Sequence, residues 1–240
     1  MPIRANALVV MAKAPLPGSV KTRLLPFLSA AQAAALARAL LLDQLEHLRA
    51  LRNTDLYLAF TPPHARRLIR RLAPALFEIF SQSGADLGAR MQNIFAALFG
   101  RGHRRIVLIG GDLLPVPLSH FAQAFAYLDH PRSRAVLGPS RDGGYCLIGL
   151  NRSLPEIFID MRWSHDQVFA QTLVRLRALH VPTLELPQWF DIDRPADLTL
   201  VRSALDSRLR ITAPKTFRIV RALTITKRRI PCANKRTAID

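Results

Sequence analysis

The sequence predicts an α/β domain whose mostly parallel sheet is covered by helices on both faces. Three observations predict it. Short apolar runs alternate with longer segments of helical period. The apolar runs stop at glycine, proline or aspartate, as buried parallel strands do before they enter loops. Half of the 240 residues are hydrophobic, enough for one sizeable core.

The elements follow in order. Ala7–Met11 is a short apolar run before a Pro/Gly loop and reads as a buried strand. Ala30–Leu51 carries apolar residues at helical spacing, with Ser29 as its N-cap. Asp55–Phe60 is a second strand, closed by Thr61-Pro62-Pro63. A helix over 64–72, a strand at Phe77–Phe80 and a helix at Leu87–Phe99 come next. Arg105–Ile109 is a strong strand that stops at Gly110-Gly111-Asp112. Leu118–Leu128 is helical, and Ala135–Leu137 and Tyr145–Leu150 are strands joined closely enough to form an antiparallel piece. His165–Leu179 reads as a helix with Ser164 as its cap, Thr183–Leu186 as a last strand, and Pro195–Leu205 as a helix. In such a sheet, ligands bind at the carboxyl ends of the strands.

The formal charge is +17, and about half of the excess lies from Arg208 onward, where ten basic residues face one acid, Asp240. This divides the chain into a domain over 1–210 and a basic, loosely ordered tail over 211–240. Arg66, Arg67, Arg70 and Arg71 form a second basic group on one helix. A field of this sign attracts polyanions, but it lacks the aromatic interleaving of a nucleic-acid reader. Cys146 and Cys232 have no metal-type spacing and imply a reducing compartment. No apolar run is long enough to span a membrane, and Met1-Pro-Ile-Arg leads straight into a strand, so a cytoplasmic protein is expected.

The loop Met11-Ala-Lys-Ala-Pro-Leu-Pro-Gly-Ser-Val-Lys-Thr-Arg-Leu24 is the first candidate site. Its prolines stiffen it, Gly18 permits close backbone approach, and Lys21 and Arg23 offer charge for phosphate oxygens at the expected entrance of a helix. Neither Walker nor Rossmann glycine spacing is present, so physics alone leaves an ordinary connection open. Three acidic stations lie further along the chain. Asp112, at a strand's carboxyl end, suits an oxygen-preferring cation such as Mg²⁺ or Mn²⁺, or else caps the next helix. Asp191 and Asp193, two apart, point to one side of an extended segment. Asp193 is the better cap for the helix at Pro195, which leaves Asp191 as the better ligand. Asp142 sits before Gly143-Gly144, where a plain hairpin turn is an equal reading. Asp86 and Arg90 are spaced for an i,i+4 ion pair.

Residues 12–24 resemble the opening motif of the nucleotide-diphospho-sugar transferases of the glycosyltransferase-A fold. The similarity is greatest to a bacterial family known as arsenosugar-biosynthesis-type glycosyltransferases, related to molybdenum-cofactor guanylyltransferase-like enzymes. It continues through Gln82–Met91, Gly110–Pro117, Gly138–Leu150, Trp163–Leu173 and Phe190–Leu198, and so covers about residues 5–205. It implies a three-layer sandwich with nucleotide and phosphate contacts at Ala12, Lys13, Pro17, Gly18, Lys21, Arg23 and Gly111. It also implies a Mg²⁺ or Mn²⁺ held by Asp112 and Asp191, with Asp193 a further candidate. Asp86, Arg90, Gly143, Gly144 and Tyr145 would lie near the substrate, and Asp112, Lys21 and Asp142 would carry the catalysis. The chain departs from the family pattern at Leu114, where proline is usual, at Gly111, often serine or threonine, and at Ala85, commonly glycine.

The function expected is therefore a metal-dependent transfer from a nucleotide-sugar to a small-molecule acceptor. Attack on a nucleoside triphosphate with pyrophosphate release needs the same apparatus and is the alternative. A non-catalytic basic protein that holds polyanions is a third reading. Nucleobase, sugar, acceptor and oligomeric state are not written in the sequence.

Overall fold

A computed structural model describes residues 2–189, 191–203 and 207–223. Seven strands and eight helices alternate through them. These are β1 (Asn6–Lys13), α1 (Ala30–Leu48), β2 (Thr54–Thr61), α2 (Arg66–Leu72), β3 (Phe77–Ser81), α3 (Leu87–Gly100), β4 (Arg105–Gly110) and α4 (Leu118–Leu128). Next come β5 (Ala135–Pro139), β6 (Tyr145–Leu150), α5 (Val168–Ala178), β7 (Thr183–Glu185), α6 (Pro195–Ser203), α7 (Ser207–Thr212) and α8 (Pro214–Ala222). One sheet holds all seven strands in the order β3-β2-β1-β4-β6-β5-β7. Strands β3, β2, β1 and β4 are mutually parallel, β6 runs antiparallel between β4 and β5, and β7 is parallel to β5. The expected antiparallel piece is thus the β5–β6 hairpin.

Side-chain alternation along the strands divides the core in two. Leu8, Val10, Val107 and Ile109 face the layer of α1, α2 and α4, where Leu41, Leu45, Ile69, Phe121 and Phe125 are buried. Ala7, Val9, Ile106 and Leu108 face α3 and α5, against Met91, Ile94, Phe95 and Leu176. This is the three-layer sandwich. Ser29 caps α1 in a reciprocal pair with Gln32, at 3.2 Å and 2.8 Å.

Antiparallel insertion of β6 decides where the loops meet. Ile109 of β4 faces Leu147 of β6, so the start of β6 lies beside the end of β4. The loops after β1, β4 and β5 therefore share one end of the sheet. The segment after β7 joins them through bridges from Trp189 to Ser140 and from Asp191 to Leu113.

A third buried cluster lies beneath these loops. Leu24, Leu28, Leu36, Leu40, Leu114, Ile192 and Leu198 pack there with Ala213, Val220 and Leu223. The expected boundary at residue 210 falls inside this packed structure. The fully buried Asp43 side chain of α1 accepts the N–H groups of Lys215 at 3.2 Å and Thr216 at 2.7 Å, closing the first turn of α8. The basic residues that suggested a loose tail alternate, over 214–222, with apolar ones in the amphipathic pattern of a docked helix. The rest of the expected tail, 224–240, lies outside the described residues. Arg66, Arg67, Arg70 and Arg71 are exposed on α2. Among the described residues, no helix is long and apolar enough to cross a membrane.

Candidate active site

The first loop leaves β1 through Ala14, whose N–H reaches Thr61 at 2.7 Å. Gly18, at the exposed tip, takes φ +77. Lys21 also adopts a left-handed backbone, φ 50, and the chain continues as one 3₁₀ turn at Thr22–Leu24 instead of the expected helix. Lys21 is driven inward, with a side chain only 2% exposed, and its Nζ donates to Asp112 Oδ2 at 2.7 Å. The Asp112 side chain is 51% exposed, so the pair shows its carboxylate to solvent and keeps its ammonium below.

Asp191 and Asp193 arrive from the far end of the chain. Asp193 does not cap α6. Its carboxylate pairs with Arg23 at 2.6 Å and lies 3.9 Å from Lys21 Nζ. The start of α6 is closed by Asp197, which accepts the N–H groups of Asp193 at 3.0 Å and Arg194 at 2.6 Å. Spacing alone could not show this, because a carboxylate three residues inside a helix can bond back to the cap. One carboxylate oxygen from each of Asp112, Asp191 and Asp193 lies within 4.8 Å of the others.

The electrostatics follow from that crowding. Burial works against the Lys21 ammonium, but the charge and hydrogen bond of Asp112, helped by Asp191 and Asp193, hold it above its ordinary value. In turn Lys21 holds Asp112 below the usual carboxylate range. Burial pushes Asp191 up to about 6, and repulsion from Asp112 adds to the rise. Three carboxylates against Lys21 and Arg23 leave one negative charge in excess, and the donor atoms are all oxygens. That donor set fits a hard divalent cation and offers nothing to a soft one.

Two clefts open from the cluster. The first is basic, about 470 Å³, and is lined by Ala12, Lys13, Lys21, Arg23, Arg90 and Gly111 together with Asp112 and Asp193. Gly111 is small for a reason. A Cβ there would stand 2.8 Å from that of Ala12 and force β4 away from β1. The second cleft, about 280 Å³, lies on the other side of Asp112 and Asp191, with Asp142, Gly144 and Tyr145 on its wall. Pro17, Gly18, Asp86 and Gly143 line neither. Asp86 does not pair with Arg90. It caps α3 by accepting Ala89 N–H at 2.8 Å, and Arg90 Nε donates to the Gly84 carbonyl at 3.2 Å.

Asp142 Oδ1 accepts the Ser140 hydroxyl and the Gly144 N–H, so one of its oxygens closes its own turn. Gly143 sits beneath the turn with φ +85, and a Cβ there would fall 2.0 Å from the Asp166 carbonyl oxygen. Gly143→Ala is expected to cost about 2–4 kcal/mol, from the left-handed backbone plus the collision. Urea unfolding measures it, and an unchanged midpoint would show that the turn does not press on Asp166.

The departure at Leu114 has a structural account. Its side chain is buried beneath the loop, and its carbonyl accepts Trp189 Nε1 at 2.9 Å, tying the loop that carries Asp112 to the segment that carries Asp191. Cys146 lines the second cleft, but burial pushes its thiol up to about 12. Its thiolate fraction at pH 8 is then at least a hundredfold below that of an ordinary cysteine. Peptide-resolved alkylation should accordingly label Cys146 at least about a hundredfold more slowly in the native protein than in guanidinium. The helix expected from His165 starts only at Val168, with Gln167 as its cap, and Ser164 is held at φ 69 in a loop. Trp163 and His165 thereby line the second cleft, although the sequence, beyond the resemblance over Trp163–Leu173, gave neither a role.

This geometry belongs to a class. The chain has the nucleotide-diphospho-sugar transferase fold, as comparison with solved structures shows. A provisionally named nucleotide-diphospho-sugar transferase from Desulfovibrio desulfuricans G20 is 30% identical, with a TM-score of 0.83 over 91% of this chain and 95% of that one. A cytidylyltransferase from Leptospira borgpetersenii serovar Hardjo-bovis gives 16% identity and a TM-score of 0.57 over 94% and 100%. A 4-diphosphocytidyl-2C-methyl-D-erythritol synthase from Anaerococcus prevotii DSM 20548 gives 9% and 0.55 over 84% and 96%, a likeness of fold. By its match over residues 44–165, the chain belongs to the bacterial family described as "Uncharacterized protein conserved in bacteria (DUF2064)". That segment contains Asp112 but not Lys21, Arg23, Asp191 or Asp193. A comparison with curated protein sequences gives no match.

Proposed function

We propose that the protein is a divalent-metal-dependent transferase that uses a nucleotide-sugar donor. The observation that carries this reading is the convergence of Asp112, Asp191 and Asp193 within 4.8 Å, beside a cleft lined by Lys13, Lys21, Arg23 and Arg90. Diphosphate and a metal ion together match such a site, because each supplies the charge that the other half lacks.

In this reading Asp112 and Asp191 hold the cation and Asp193 completes the set. When bound, Mg²⁺ or Mn²⁺ supplies positive charge to the departing diphosphate. Lys21 is anchored too deeply to swing out, so it positions Asp112 and faces the phosphates from below. Arg23, 51% exposed, exchanges Asp193 for a phosphate oxygen. Ala12 and Gly111 bring bare backbone to the cleft wall. Asp142 stands outside the metal cluster and receives the proton of the acceptor hydroxyl.

The 30% identical neighbour, named as a nucleotide-diphospho-sugar transferase, supports sugar transfer over nucleotidyl transfer. Isothermal titration with nucleotide-sugars and nucleoside triphosphates, each with Mn²⁺ and with EDTA, tests both. The expected result is nucleotide-sugar binding at least tenfold tighter with Mn²⁺. Pyrophosphate release from a triphosphate would replace sugar transfer with nucleotidyl transfer. Metal-dependent binding of neither class would reject the enzyme reading.

A further inference from the structure

The end of the sheet opposite the carboxylate cluster carries a cavity of its own. Ile106 pairs with Leu150 and Leu150 with Ala135, so the starts of β4 and β5 flank the end of β6 there. A space of about 710 Å³ opens beside them, walled by residues 103–105, 128–131 and 151–153, with Phe99 of α3. It shares no lining residue with either cleft beside Asp112.

Its walls are held in place by hydrogen bonds within the chain. The N–H groups of Arg104 and Arg105 both donate to the Ala5 carbonyl, at 2.8 Å and 2.9 Å. Asn151 Nδ2 donates to the carbonyls of Leu128, His130 and Arg132 at 3.1, 3.0 and 2.9 Å. Its Oδ1 accepts the Arg134 N–H at 2.7 Å, so one amide pins the whole turn after α4. Arg152 Nη2 donates to the Pro131 carbonyl at 2.6 Å, which spends one of its five N–H groups and fixes the guanidinium at the wall.

The lining is strongly one-sided in charge. Arg104, Arg105 and Arg152 belong to it, and Asp129 is its one carboxylate. Arg105 pairs with Asp129, which neutralises one of the three. Arg104 and Arg152 are exposed, and neither has a carboxylate partner among the described residues. His103 offers a ligand nothing, because its ring nitrogens are taken by the Arg4 carbonyl and the Tyr57 hydroxyl. Two positive charges on separate elements therefore remain in excess around one concave space. Arginines on a convex face are served by water, whereas a concavity concentrates their field.

That field repels cations and gives a neutral ligand little to hold. A single carboxylate would answer one guanidinium and leave the other. Phosphate oxygens fit the guanidinium fork in pairs, and two phosphates bring at least the two charges required. The volume lies within the range of small-molecule sites, roughly 300–1,000 Å³. A nucleic-acid strand would call for open aromatic faces on which to stack its bases, and here Phe99 is half-buried and His103 buried.

We propose that this cavity binds a compact anion carrying two phosphates, with Arg104 and Arg152 each on phosphate oxygens. The proposal stands on this end of the sheet alone and does not depend on the transferase reading. The phosphates belong either to free inorganic diphosphate or to a small molecule phosphorylated twice.

The test uses the full chain in metal-free buffer at physiological ionic strength, where exposed charges are screened beyond about 8 Å. Wild type, R104A/R152A, R104K/R152K and R23A/R90A are titrated with inorganic pyrophosphate and with a hexose bisphosphate. The expected result is one binding site that R23A/R90A keeps within twofold and R104A/R152A weakens at least tenfold. Lysine keeps the charge without the fork, so R104K/R152K should recover part of the loss. The tighter of the two anions identifies the source. On wild type alone, arginine modification by phenylglyoxal is mapped by peptide mass spectrometry with and without the anion. Labelling of Arg104 and Arg152 should slow at least fivefold while Arg66 and Arg70 on α2 are unchanged, and this decides the matter if R104A/R152A does not fold. Loss of all binding in R23A/R90A, or unchanged binding in R104A/R152A, would overturn the proposal. So would equal protection of the α2 arginines, binding of neither anion, or protection of Arg104 and Arg152 by a single-stranded oligonucleotide alone.

Discussion

Asp112→Asn is expected to abolish manganese-dependent nucleotide binding, with at least a hundredfold loss in metal affinity and a fall in turnover of about a thousandfold. The substitution keeps the shape of the side chain and removes one charge. It has two consequences at once. The cation loses the most exposed carboxylate of the cluster, and Lys21, 2% exposed, loses the anion 2.7 Å from its ammonium. Asp193 at 3.9 Å is then the carboxylate left to pair with it, and burial of the ammonium is no longer offset. The fold should weaken by about 1–3 kcal/mol, less than for a fully buried pair because Asp112 is half open to water. Asp142→Asn is the control. Its carboxylate is turned to Ser140 and Gly144, so manganese affinity should stay within about twofold of wild type while turnover falls. Calorimetry with Mn²⁺ measures the first, and donor consumption the second. Wild-type metal affinity in Asp112→Asn would remove the carboxylate cluster from the proposed mechanism.

The second large effect concerns the carboxyl-terminal part of the domain. A chain ending at residue 210 is expected to melt at least about 8 °C below the full chain, whereas one ending at Leu223 should melt within about 2 °C of it. Removing α8 strips Val220 and Leu223 from the cluster that supports Leu24, Leu114 and Ile192. Burial of two such side chains is worth about 3–6 kcal/mol, and each kcal/mol moves the midpoint of a protein of this size by about 2–4 °C. The deletion also leaves Asp43 of α1 buried without the two N–H groups it accepts. Asp43→Ala isolates that part and should lower the midpoint by about 4–8 °C, for a loss of about 2 kcal/mol. Differential scanning calorimetry on the four proteins settles it. Equal midpoints for the two truncated chains would show that residues 211–223 do not stabilise the domain. The consequence reaches the candidate site, because Leu114 and Ile192 of that cluster neighbour Asp112, Asp191 and Asp193 in the chain.

Much of the architecture was legible in the residues themselves. Apolar runs such as Arg105–Ile109 and the helical period of residues 30–51 are local signals, and local signals predict local elements well. The meeting of the opening loop and Asp112 was also legible, since loops that follow parallel neighbouring strands leave the sheet at the same end. The amphipathic period of α8 was visible as well, but alternating basic residues hid it, because nothing in the sequence says that Asp43 waits to receive its first turn.

What the tertiary structure decided is the partnership of residues far apart in the chain. Spacing put Asp193 on the cap of α6, yet Asp197 closes that helix and frees Asp193 for Arg23, 170 residues away. Spacing put Asp86 and Arg90 in an ion pair, yet the first turn of α3 holds one and the Gly84 carbonyl holds the other. Periodicity put His165 at the start of a helix, yet that helix begins only at Val168 and leaves His165 in the lining of the second cleft. Elements form from neighbours in sequence, so one chain suffices to read them. Sites form where loops from distant strands compete for the same few hydrogen bonds, and that competition is settled only when the sheet closes.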